Sequence, residues 1–132
     1  MKEQTGTKGA FFTCTISKDG ETKELRTIRA RYAEDALQTF LSGRRHAYLS
    51  RRGLPTWLGT PVKCANDEFQ SENDGFVIAA RKLTKLLSDL GISAEAPAKY
   101  EAAEAGNADE ERRLMRTIDR SLLTILKALE EL

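Results

Sequence analysis

Asp19-Gly20 sits between two stretches of alternating apolar and polar residues, and this is the strongest constraint on what the chain can fold into. Both residues tolerate the positive φ of a two-residue type I′ turn, so the flanking stretches are expected to pair as an antiparallel β-hairpin. Across residues 9–17, Phe12, Cys14 and Ile16 fall on one side and Thr13, Thr15 and Ser17 on the other. The turn pairs Ser17 with Thr22 and sets Leu25 opposite Cys14. Continued unchanged, that register leaves Ile28 and Ala30 on the polar side. One extra residue, a β-bulge near Arg26-Thr27, brings Ile28 opposite Phe12 and restores the pattern. Arg29 and Arg31 then point away from the core.

A helix is expected over residues 33–42. Glu34 and Asp35 complement its dipole, Ala33, Ala36, Leu37, Phe40 and Leu41 recur at helical spacing, and Gly43 supplies the stop. Residues 44–52 read as irregular or briefly helical, and Gly53, Pro55 and Gly59 break regular structure after them. Residues 60–65 suit a third, edge strand, with Pro61 tolerated only at its start. Residues 66–74 read as an acidic loop. A helix is expected within 72–91, with Phe76, Ala79, Ala80, Leu83, Leu86, Leu87 and Leu90 forming one stripe and Gly91 ending it. Residues 92–108 form an Ala/Glu-rich connector containing Pro97. Asn107-Ala108-Asp109-Glu110 then caps an amphipathic helix over 109–132.

The expected fold is therefore α+β: an N-terminal hairpin with room for a third edge strand, packed with one helix and followed by two longer helices. At 132 residues the chain is one domain, spanning 1–132, with its β-hairpin, helix and strand part in 9–65. No apolar run approaches the roughly 18–20 residues that cross a bilayer, and the polar N-terminus lacks a signal-peptide core, so a cytoplasmic protein away from membranes is expected. Cys14 and Cys64 should then be reduced thiols.

Charge is unevenly distributed. Residues 23–63 hold nine basic side chains against three acidic ones, whereas residues 64–110 hold four against ten. Such asymmetry marks either a surface for an anionic partner or two blocks that neutralise each other within the fold.

Signatures of enzymes are absent. The chain has no G-x-G-x-x-G, phosphate loop, G-x-S-x-G or H-E-x-x-H. A pairing of His46 with Cys14 or Cys64 would give an activated thiolate, but Cys14 belongs to the apolar side of its strand, where thiols act as packing residues. Zinc lacks a C-x-x-C pair and a fourth ligand. The acidic loop lacks the ligand spacing of a calcium site. No enzyme activity, cofactor or metal is expected, and the sequence identifies no small-molecule substrate.

Two features suggest binding instead. In 44–52, Arg45, Tyr48 and Arg52 share a helical face flanked by Arg44 and Arg51, and Trp57 follows closely. Guanidinium groups pair with phosphates and aromatic rings stack on exposed bases. With Arg29 and Arg31 as neighbours, these residues are the candidate surface for nucleic acid or, in an adaptor or inhibitor, for an acidic protein. In the last helix Ile118, Leu122, Ile125 and Leu129 follow a 4-3-4 spacing widened by Leu114, Met115, Leu123 and Leu126, the pattern of a coiled-coil seam. A homodimer through that seam is expected.

Overall fold

The computed structural model describes residues 9–65, 68–92 and 108–132. The expected connector over 92–108 lies almost wholly outside the described residues. The fold is mixed α+β, built on a five-stranded antiparallel sheet of order β2-β1-β5-β4-β3. Its strands are β1 (Ala10–Lys18), β2 (Glu21–Ala30), β3 (Val62–Lys63), β4 (Phe69–Asn73) and β5 (Phe76–Lys82). Among the described residues four helices complete it: α1 (Ala33–Phe40), α2 (Gly43–Arg51), α3 (Leu83–Asp89) and α4 (Ala108–Glu130).

The first hairpin turns at Asp19-Gly20, with φ of 56° and 79°, and Ser17 pairs with Thr22 as its turn chemistry requires. The bulge falls earlier than expected. Ser17 faces Thr22 but Ile16 faces Glu24, so the extra residue is Lys23 and not one near Arg26-Thr27. Ile28 still arrives opposite Phe12. The early bulge has two consequences: Leu25 lies opposite Thr15 instead of Cys14, and Glu24 turns onto the Ile16 side of the sheet.

Two expectations are overturned between residues 66 and 90. Residues 69–73 are strand β4 and not loop, and residues 76–82 are strand β5, with helix only from Leu83 to Asp89. Asp74-Gly75 joins the two strands with φ of 56° and 85°, repeating the geometry of Asp19-Gly20. The apolar positions of 76–90 fit a helical stripe, but Ile78 and Ala80 also fit a strand's period of two. The free side of β1 decides the matter. Phe12 through Ser17 pair with Lys82 through Val77, supplying the backbone partners that β1 needs.

Both faces of the sheet are covered where β1 lies. On one, Phe12, Cys14, Ile16, Ile78 and Ala80 pack beneath α1 and α2 through Ala33, Ala36, Leu37, Phe40, Leu41 and Leu49. On the other, Phe11 and Leu25 pack with Leu83, Leu86 and Leu87 of α3 and Ile118 and Leu122 of α4. Phe11, Phe12, Thr13 and Cys14 are accordingly all buried, a run without alternation because neither face meets water.

Helix α4 runs antiparallel to β2 along the outer edge of the sheet. Glu111 pairs with Arg29. Asp119 Oδ1 accepts the Thr27 N–H at 2.7 Å, and Glu130 Oε2 accepts the Thr22 N–H at 2.8 Å and its hydroxyl at 2.7 Å. Arg29 therefore does not face solvent. It lies over the Phe11 ring, 4.3 Å from the centroid, on the face that α4 covers. Among the described residues no helix is long and apolar enough to cross a membrane.

Candidate anion-binding surface

Helix α2 carries the basic segment. Its apolar contact with the core is Leu49, with Tyr48 half-buried beside it, so most of the helix is turned to solvent. The five residues expected to act together divide into two sets.

Arg45, Tyr48 and Arg52 form an internal ladder. The Arg45 guanidinium lies 4.8 Å from the centre of the Tyr48 ring and 5.4 Å from that of Phe40. Arg52 lies 5.3 Å from the Tyr48 ring and donates to its hydroxyl at 2.9 Å. Both guanidiniums converge on Glu24, at 2.7 Å from Arg45 Nη2 and 4.0 Å from Arg52 Nε. Glu24 is buried, so its charge needs these partners, and the bulge at Lys23 is what aims it beneath α2. The expected helical face of these residues exists, but its guanidiniums are turned onto Glu24 within the fold. Guanidiniums occupy the Tyr48 ring, which gives it a structural role as the rung between two arginines.

Arg44 and Arg51 form the other set. They are exposed, and neither makes an ion pair or hydrogen bond among the described residues. Seven positions apart on α2, they project from one side about 10 Å apart along the axis. Among the described residues, the acidic block does not cover them. Glu68 and Asp89 instead hold Arg81, with Glu68 at 2.8 Å. Neutralisation within the basic segment comes from Glu24, which nothing in the sequence marks out from the other acids near it.

The remaining expected residues are dispersed. Arg29 is on the opposite face with Glu111. Trp57 is 63% exposed in the loop before β3, its carbonyl fixed by the Asn73 side chain at 2.7 Å. Arg31 lines a separate cleft of about 390 Å³ at the start of α1, with Phe12, Tyr32, Ala33, Glu34, Lys63, Glu68, Phe69 and Lys82. That cleft cannot be assembled from a sequence whose residues 66–90 read as loop and helix.

Of the expected seam, Ile118 and Leu122 are consumed inside the chain, at 5% and 1% exposure against the sheet. Ile125 is half-buried, and Leu129 is exposed. The Cys14 thiol is enclosed in the core, and burial pushes its pKa up strongly, with Asp119 adding to the effect and Arg45 opposing it. Cys64 is half-buried and likewise a free thiol, and His46 is exposed on α2. Among the described residues, no three His, Cys, Asp or Glu side chains are grouped to hold a metal. Comparison with known families, curated proteins and solved structures finds no match to this chain.

Proposed function

We propose that the chain is a non-enzymatic binding protein whose helix α2 contacts nucleic acid through Arg44 and Arg51. The observation that supports this is the contrast within one helix: two arginines are tied to Glu24, and two are exposed and unpaired on a rigid support. A spacing of about 10 Å is within reach of two long arginine side chains for neighbouring phosphates of one backbone. No sequence motif suggests base readout, so the proposed binding is a phosphate contact without sequence preference.

The test is a salt series with polynucleotide. Two neutralised phosphates correspond to a slope of about −1.8 in log K against log salt on duplex DNA. Replacing Arg44 and Arg51 together with alanine removes that slope and leaves the melting temperature unchanged, since exposed charges contribute little to folding. Wild-type protein that ignores polynucleotide at low salt transfers the same two arginines to an acidic protein surface, the adaptor reading. Self-association, in the same proposal, uses the outer end of α4, where Leu129 and Leu132 are 46% and 98% exposed. Leu129→Asp should then reduce the mass seen by light scattering, and an unchanged mass would remove self-association from the proposal.

A further inference from the structure

The cleft at the start of α1 has the makings of a small-molecule site that is independent of α2. Its volume of about 390 Å³ lies in the range of ligand pockets, roughly 300–1,000 Å³. Its floor is apolar: Phe12 is fully buried beneath it, and Phe69 and Ala33 continue the surface. Tyr32, 62% exposed, lines it as well. Three cationic side chains line it from three strands or their ends: Arg31 after β2, Lys63 in β3 and, at the end of β5, Lys82, which is engaged by an interaction of its own and is left out of the balance.

The charge balance favours an anion. Of the two acids on the lining, Glu68 is held by Arg81 at 2.8 Å, leaving Glu34 as the local competitor. Arg31 and Lys63 are exposed and make no ion pair or hydrogen bond among the described residues. The α1 N-terminus opens onto the same cleft at Ala33 and Glu34, and Tyr32 in the capping position donates no side-chain cap. The backbone charge there adds to the cationic rim but would not define a site alone.

We infer that this cleft binds a small aromatic anion, with the ring against Phe69 and Tyr32 and the charged group between Arg31 and Lys63. The inference stands apart from the proposal for α2, which uses other arginines on another helix.

Adenosine monophosphate is the probe, since it joins a flat ring to an anionic group, with adenosine and inorganic phosphate as its separated halves. In amide-resolved NMR titrations of the full chain, the monophosphate should saturate with shifts centred on residues 31–34, 63, 69 and 82. Each half alone should bind at least about tenfold more weakly. Arg31→Ala with Lys63→Ala should weaken the monophosphate by about tenfold or more, because charged hydrogen bonds are lost. Glu34→Gln should tighten it, a change of opposite sign that no general loss of folding can produce. Arg44→Ala with Arg51→Ala should leave it unaltered, which separates this site from α2. Absence of saturation up to about 5 mM, shifts centred elsewhere, or indifference to Arg31, Lys63 and Glu34 would each overturn the inference.

Discussion

The chain contains two hairpins with the same turn. Asp19-Gly20 and Asp74-Gly75 both place Asp at a φ of 56° and Gly near 80°, yet their surroundings differ. The first joins strands of nine and ten residues, with alternation visible from Phe12 to Ser17 of β1. The second joins a five-residue strand, Phe-Gln-Ser-Glu-Asn, to a seven-residue strand that runs straight into a helix. A turn is therefore recognised by its flanks as much as by its two residues. Where a flank is short and polar, the pairing partner decides, and here that partner is β1.

The outer edges of the hairpins are protected differently, and this yields the largest expected effect. Beside β4 the chain approaches so closely at Gly59 that an added Cβ would stand 1.9 Å from the Glu72 carbonyl oxygen. Gly59→Ala must push the loop off β4, with loss of the Gly59 N–H to Ser71 contact, and should cost more than about 3 kcal/mol in chemical denaturation. A smaller loss would mean that the second hairpin tolerates an open edge. Beside β2 the protector is α4, anchored by Leu122. Leu122→Ala should cost about 3 kcal/mol and accelerate hydrogen exchange at Thr22 and Thr27 ahead of β5.

The turns themselves sharpen the comparison at lower cost. A Cβ added at Gly20 would meet nothing within 4 Å, and one at Gly75 would meet only the Lys18 side chain, at 3.5 Å. Alanine at either position meets only the left-handed backbone penalty, about 1–2 kcal/mol, and the two costs should agree within error. Unequal costs would show that the hairpins differ in their turns as well as their flanks.

The smallest effect concerns Asp119. Burial raises its pKa above the ordinary 3.8, outweighing the Thr27 hydrogen bonds and the Arg26 and Arg45 charges that lower it. Because the folded state holds this proton more tightly, its contribution to stability is greatest at acid pH and declines as pH rises through the raised value. Asp119→Asn keeps an acceptor for Thr27 and removes the buried charge. The variant should be at least as stable as the wild type at neutral pH, with the difference vanishing below about pH 4. A variant less stable at neutral pH would give the Arg26 pairing the larger share.

Much of the N-terminal half is legible in the sequence because its signals agree: turn residues, alternation, acidic first turn and glycine stop all point one way. The bulge is legible in kind but not in place, since Lys23 and a residue near Arg26 repair the Phe12–Ile28 register equally well. Sequence alone does not register that Leu25 gains a second core under α4. The candidate surface is legible as composition only. Which arginines of α2 are free depends on Glu24, twenty-one residues before Arg45 and delivered by that bulge. The cleft is hidden because Lys63, Phe69 and Lys82 meet only once β3, β4 and β5 are paired.

The carboxylates of α4 also bear on how copies of this chain behave toward one another. An unpaired strand edge is a template for any other chain with free backbone groups. Here Glu130 and Asp119 occupy the outward N–H groups of Thr22 and Thr27, while the far edge ends in a strand of only two residues preceded by Pro61. The sheet is thus blunted at both margins. A chain shortened before α4 would expose β2 along with the Phe11 and Leu25 surface, and filaments growing strand upon strand should start from that margin.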